Sequence, residues 1–336
     1  MNIITPIRSL EELEMLIANG ADELYCGLKT REWDEIFNEN LWMNRRNPDQ
    51  ANITSLKDLE TLIAVAHEHA VKVSITLNAP FYPENGMAYM LTLCSRLADM
   101  GVDALIVSDL NLLVELSRLN LGLRIHLSSL GACFNSFSVP FYKSLGVKRV
   151  ILPRQLTLPE IKAIVTKHRD DMEFEVFAVN DGCYFEESFC QTSHTLGAFC
   201  LTDWTITPLE TDSPGSENET VYPDLAARLA HFKTYLWYQN NCGSSFQQDG
   251  LPNGPCSLCQ FGDFRDWGVS AVKIVGREAS FHRKMGSLQL VKAVRDKARQ
   301  TQNRDRIIDY ARQLRQTPEY CDSGYMCYFG PCFREH

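Results

Sequence analysis

The chain has 336 residues, with 33 Lys plus Arg against 42 Asp plus Glu and a formal net charge of −9. That balance speaks against a broad phosphate-binding surface, so nucleic acid is not the expected partner, although a local basic pocket remains compatible with it. Residues 1–10 lack a charged start followed by an apolar stretch, and no uncharged apolar run reaches the roughly 18 residues of a membrane helix, so a soluble cytoplasmic protein is expected.

From the N-terminus onward, short apolar strands alternate with amphipathic helices. Strands are predicted at 2–5, 23–26, 71–77, 104–107, 124–127, 149–152, 173–178 and 271–275. Helical spacing falls at 10–18, 56–69, 87–100, 110–119, 138–145 and 159–168. At Gly20, Gly101, Gly146 and Gly268 a helix passes through a glycine almost directly into a strand, as a left-handed C-cap would allow. Eight strands in this alternation predict an α/β fold, a closed (β/α)8 TIM-like barrel, with a doubly wound open sheet as the competing arrangement. No glycine-rich dinucleotide fingerprint follows the first strand, which weakens the competitor.

The regularity stops after the seventh strand. Residues 179–255 form a long insertion rich in Gly, Ser, Asn and Pro, with one predicted helix at 222–238. In a barrel this connection emerges at the C-terminal face, where active sites are built. Residues 288–314 read as one long charged helix closing the ring. The expected plan is a single barrel domain over 1–316 carrying the insertion, then a cysteine-rich aromatic tail over 317–336.

Twelve cysteines are many for a reducing compartment, where clusters of them read as metal ligands or redox centres before disulfides. Cys26, Cys94 and Cys133 are scattered and read as buried thiols packed like small hydrophobes. Cys183 and Cys190, spaced C-x6-C, with Cys200 and Cys256 offer four soft thiolates that suit an iron-sulfur cluster or tetrahedral zinc, and spacing alone does not choose. Cys259 completes a C-x2-C pair with Cys256. With the tail thiols Cys321, Cys327 and Cys332, and Cys242 as a further donor, it makes a second candidate metal set for another cluster or zinc. The other reading of the tail is an aromatic plug built on Tyr320, Tyr325, Tyr328, Phe329 and Phe333.

Residues at predicted strand ends carry the remaining chemistry. His126 ends the fifth strand and reads either as a satisfied core histidine or as an active-site acid or hydrogen-bond donor. Arg154 follows the sixth strand, and Lys273 and Arg277 belong to the eighth, where barrels commonly bind anions; the alternative is structural ion pairs inside the barrel. Asn78 and Asn135 could add neutral hydrogen bonds at the same rim. The chain contains no H-E-x-x-H, no G-x-S-x-G and no cysteine-protease signature, which excludes the usual protease sites.

Several of these segments resemble the collagenase-like peptidase U32 family. Phe174-Glu-Val-Phe-Ala-Val-Asn-Asp-Gly-Cys183 followed by Cys190 is similar to the family's E-x-F segment with its C-x6-C pair, and Leu196-Gly-Ala-Phe-Cys200 to its N-R-G-x-C element without the Asn-Arg. Gly268-Val-Ser-Ala-Val-Lys-Ile-Val-Gly-Arg277 resembles G-V-x-S-L-K-I-E-G-R, with Val275 in place of the glutamate. His126-Leu-Ser128 resembles the H-x-S strand. The stretch 145–161 resembles L-G-V-x-R-V-V-L-A-R-E-L-S-L-x-E-I, with Gln155 in place of the glutamate after Arg154. The resemblance implies a 4Fe-4S cluster on Cys183, Cys190, Cys200 and Cys256, and oxygen-independent hydroxylation drawing on prephenate, a dicarboxylate that Arg154, Lys273 and Arg277 would hold. The expected protein is thus an iron-sulfur hydroxylase of a small organic substrate with His126 and Lys273 as catalytic candidates. RNA-base hydroxylation, or a non-catalytic subunit paired with a related chain, are the alternatives.

Overall fold

The computed structural model describes residues 1–38, 40–180, 227–231, 233, 254–324 and 327–329. Nine strands follow in chain order: β1 (Asn2–Pro6), β2 (Glu23–Leu28), β3 (Asn52–Ile53), β4 (Lys72–Leu77), β5 (Ala104–Val107), β6 (Arg124–Leu127), β7 (Val147–Ile151), β8 (Glu173–Val179) and β9 (Ala271–Ile274). All pair in parallel, in the order β1-β9-β8-β7-β6-β5-β4-β2, and β1 also pairs with β2, so eight strands close a (β/α)8 barrel as expected. β3, a two-residue strand on the outer end of β2, was not predicted, being too short to show a period.

Strand alternation divides the buried side chains into two cores. Ile3, Leu24, Leu105, Val150, Val176 and Val272 pack outward against the helices. Ile4, Tyr25, Ile106, Ile151, Phe177 and Val275 form a separate cluster inside the ring. Each fully buried large aliphatic or aromatic side chain contributes about 1.5–3 kcal/mol, so the outer layer carries most of the apolar driving force. The helices show why they form where they do. In Leu56–Glu68, Leu59, Leu62, Ile63 and Ala66 recur on one buried face, and the Ser55 side chain accepts from Asp58 N at the start. Leu158–His168 opens with a reciprocal capping box between Thr157 and Glu160. The four expected glycine caps all have positive φ, between 82° and 98°.

The predicted helix at 288–314 is two helices, Phe281–Gln300 and Arg304–Arg315. The break has a polar cause. The Asn303 side chain caps the second helix by accepting from Arg306 N, while the Arg265 guanidinium donates to Ala298 O and Thr301 O and so holds the end of the first. Of the helix predicted at 222–238, residues 227–231 are helical and most of the remainder lies outside the described residues. Cys26, Cys94 and Cys133 are buried, and burial pushes each thiol up to about 12, as expected of inert packing cysteines. Among the described residues, no helix is long and apolar enough to cross a membrane.

Candidate active site at the barrel mouth

Deep in the ring, a charged layer sits beneath the apolar cluster. Arg149 on β7 donates to Glu23 on β2 at 2.7 and 2.9 Å, to Glu173 on β8 at 2.9 Å and to Glu175 at 3.4 Å. Burial alone would raise the Glu23 carboxyl, but the hydrogen bond and charge of Arg149 outweigh it and hold the group below its ordinary value. Lys273 on β9 reaches the same network, with its Nζ 2.9 Å from Glu175 Oε1 and 4.2 Å from the centroid of the Tyr25 ring. Burial pulls the Lys273 ammonium down, and Glu175 opposes that pull. The structural ion pair considered for Lys273 is therefore present.

Above this layer, at the C-terminal ends of the strands, lies a cavity of about 60 Å³. Its lining includes Arg45 and Arg46 from the connection after β2, Asn78 after β4, Arg154 after β7, and Lys273, Val275 and Arg277 from β9 and the turn beyond it. Arg154, Lys273, Arg277 and Asn78 are thus brought together as the sequence suggested. The Arg154 guanidinium lies 4.0 Å from the centroid of the Phe177 ring, a cation-π seat that fixes its plane. Asn78 donates to Ser128 Oγ at 3.4 Å, and its buried Oδ1 has no hydrogen-bond partner among the described residues, so it can accept from a ligand.

Arg277 is only 3% exposed and makes no salt bridge among the described residues. It donates instead to two neutral carboxamide oxygens, Asn52 Oδ1 at 3.0 Å and Asn44 Oδ1 at 2.7 Å. Burial lowers the guanidinium to about 10, and the charge of Arg46 pulls the same way. The group lies flat against β2 because Gly27 has no side chain: a Cβ there would stand 1.9 Å from Arg277 Nη1 and 2.1 Å from Asn52 Oδ1.

Two expected residues stand elsewhere. Asn135 is exposed and does not line the cavity; its Oδ1 accepts from Phe137 N and Ser138 N at the start of the helix Ser138–Ser144, a local turn role. His126 faces the barrel interior one strand-pair below Ser128, outside the cavity lining, and is 2% exposed. Burial, reinforced by the charges of Arg149, Arg124, Lys273 and Lys72, drives its imidazole well below the ordinary histidine value, so it is neutral and unsuited to acting as a cationic acid. Its Nε2 has no hydrogen-bond partner among the described residues. Sequence reading missed Arg45, Arg46, Asn44 and Asn52. The run Asn44-Arg-Arg-Asn-Pro48 after the second strand was the available signal, a basic pair in a connection that a barrel places at its active face.

Cys183, Cys190, Cys200, Cys242 and Cys332 lie outside the described residues. Cys256 is described, and its neighbours come from the tail. It pairs with Val179 on one side and with Cys327 on the other, and Tyr328 N donates to its carbonyl at 3.2 Å. Tyr328 packs into the barrel's inner cluster beside Phe177, and its hydroxyl donates to Asn180 O, so part of the aromatic tail does plug the mouth. Among the described residues, no group of three or more His, Cys, Asp or Glu side chains is already arranged to hold a metal ion.

This chain resembles proteins of known sequence over somewhat more than half its length. An uncharacterized protease of Methanocaldococcus jannaschii is 33% identical over 199 residues, 58% of this chain and 44% of that protein. The tRNA hydroxylation protein P of Escherichia coli K12 is 28% identical over 57% of this chain and 39% of its own length. A 23S rRNA 5-hydroxycytidine synthase of the same organism is 27% identical over 58% of this chain and 26% of its own. The chain spans less than half the length of each of these relatives. The sequence model of peptidase family U32 matches residues 8–331, and the chain therefore belongs to peptidase family U32.

Proposed function

We propose that the chain is an iron-sulfur-dependent, oxygen-independent hydroxylase whose barrel mouth binds a small carboxylate-bearing molecule. The observation that carries this reading is the cavity itself: Arg45, Arg46, Arg154, Lys273 and Arg277 converge on it, and among the described residues no carboxylate lines it. Guanidinium groups grip carboxylates bidentately, and an incoming anion would supply a countercharge to Arg277, which donates to neutral carboxamides. Val275 lines the cavity where the family pattern has a glutamate, a departure that removes a carboxylate from the site and so bears on which substrate it takes or how that substrate is oriented. Prephenate, a dicarboxylate, fits this chemistry as the oxygen donor.

The soft thiolates Cys183, Cys190 and Cys200 of the insertion would hold the cluster. When bound, the cluster would supply the redox chemistry that no side chain of the cavity provides. The chain's own residues bind and orient. Arg154 and Arg277 take the carboxylate, Asn78 Oδ1 accepts a donor of the ligand, and Lys273, anchored by Glu175, presents its charge from below. The barrel mouth with its Tyr328 plug limits access of water.

The names of the two Escherichia coli relatives favour a second reading, in which RNA is the acceptor and the cavity holds the small anion as co-substrate. The net charge of −9 weighs against it for a lone chain, and a related subunit could supply what this one lacks. Anaerobic purification with a visible spectrum and iron and sulfide analysis, followed by calorimetric titration of prephenate, tests the first reading. Iron, sulfide and prephenate binding are expected; protein that has neither iron nor affinity for prephenate would overturn it. Retardation of tRNA by the same preparation would move the balance to the second reading.

A further inference from the structure

The cysteines around Cys256 form an arrangement that the cavity does not use. Cys256 is pinned at the foot of the insertion: Asn180 N donates to Pro255 O at 2.8 Å, Ser257 N to Ala178 O at 2.9 Å, and Arg315 Nη2 to Gly254 O at 2.6 Å. Its parallel pairing with Cys327 puts the two residues side by side, and side chains so paired leave the same face of the ribbon. Cys259 follows in the tight turn Leu258–Gln260. Cys321 comes from the helix Pro318–Ser323, with its Sγ 4.0 Å from Thr317 Oγ1. All four are partly exposed cysteines. The charges of Cys256, Cys321 and Cys327 all bear on Cys259, after burial the main influences on its thiol, which places the four in one neighbourhood.

We propose that Cys256, Cys259, Cys321 and Cys327 form a tetrathiolate site for a single divalent thiophilic cation of the zinc class, and that this ion clasps the tail onto the barrel mouth. The four donors come as two short-spaced pairs, C-x2-C and C-x5-C, carried by two segments distant in sequence, the usual way a structural tetrahedral site is assembled. Among the described residues no group of three or more such side chains is already arranged to hold a metal, so the ion would draw these thiols together by side-chain rotation and displace their protons to solvent. Four thiolates around a divalent ion leave two negative charges. The Arg312 and Arg315 guanidiniums, whose charges reach these thiols, stand ready to balance them. The consequence for the active site is direct, because Cys327 is followed by Tyr328, the residue that plugs the barrel. The assignment gives Cys256, expected as the fourth cluster ligand, to the tail, and leaves the insertion with Cys183, Cys190 and Cys200.

The test is metal and sulfide analysis of the full-length protein purified anaerobically, compared with Cys321→Ser/Cys327→Ser, Cys259→Ser and the buried-thiol control Cys94→Ser. Wild type and the control should carry one zinc per chain, and the tail variants should lose it while keeping their iron and sulfide. Cobalt(II) added to metal-stripped protein should give the intense visible bands of a tetrahedral thiolate site, absent in the same variants. Cys321→His, which keeps a ligand of suitable softness, should retain the ion and guards against simple misfolding. Unchanged zinc in the tail variants, loss of iron and sulfide in place of zinc, or a wild type that takes up neither zinc nor cobalt would overturn the proposal. The hydroxylase reading fails separately, through absence of iron and sulfide from a protein whose zinc is intact.

Discussion

Gly27→Ala is the substitution that most sharply separates an anion-binding Arg277 from a structural one. The added Cβ would stand 1.9 Å from Arg277 Nη1, 2.1 Å from Asn52 Oδ1 and 2.7 Å from Asn44 Nδ2. Relief requires the guanidinium to retreat by more than about 1 Å, since Cβ contacts below about 3 Å are not tolerated. That shift breaks the hydrogen bonds of 3.0 and 2.7 Å that aim the group. A charged hydrogen bond is worth about 1.5–3 kcal/mol, so a carboxylate ligand should bind roughly 10- to 150-fold more weakly. Isothermal titration with prephenate measures this directly, and thermal unfolding followed by circular dichroism checks that the barrel persists. Arg277→Gln, which keeps most of the side chain and removes the charge, should reproduce the loss. If both variants bind within about twofold of wild type, Arg277 is a structural residue and the cavity is not the anion site.

Three further outcomes follow from the same geometry. Arg149→Met leaves Glu23 buried without its cation, and Glu175 with Lys273 alone, and should destabilise the fold by about 3–5 kcal/mol in urea unfolding at neutral pH, the usual cost of orphaning a buried charge; an unchanged midpoint would mean the network is neutral. His126 is held neutral in the fold, whereas the unfolded chain protonates it near its ordinary value of about 6.5. The unfolded state therefore binds the extra proton, and stability should fall by up to about 1.4 kcal/mol per pH unit below that value. Unfolding free energies of His126→Gln across pH 7 to about 5 should lack this contribution, and identical slopes would refute it. Cys183→Ser and Cys190→Ser should lose iron and sulfide, while Cys94→Ser and Cys133→Ser, whose thiols are buried, should retain both; full iron in both loop variants would remove those cysteines from the ligand set.

The barrel was legible in the sequence because its determinants are local. Alternation of apolar strands with amphipathic helices, glycine C-caps such as Gly101 and Gly268, and capping residues such as Thr157 each act within a few residues, and together they admit few topologies. Strand-end cations could be named for the same reason, since position along a parallel barrel strand sets which face a residue reaches. Tertiary structure alone decided what those cations do. Lys273 and Arg277 are four residues apart in sequence, yet one pairs with Glu175 and the other donates to the carboxamides of Asn44 and Asn52. Those partners come from strands and connections far away along the chain, joined by ring closure. His126 likewise reads as a strand-end candidate, but the depth of its layer and the surrounding arginines and lysines fix it as a neutral interior group. The pairing of Cys256 with Cys327 has no local signal at all. It arises because the tail returns across the mouth of a barrel whose strand ends both segments must share, a contact set by long-range packing and not by any pattern within either segment.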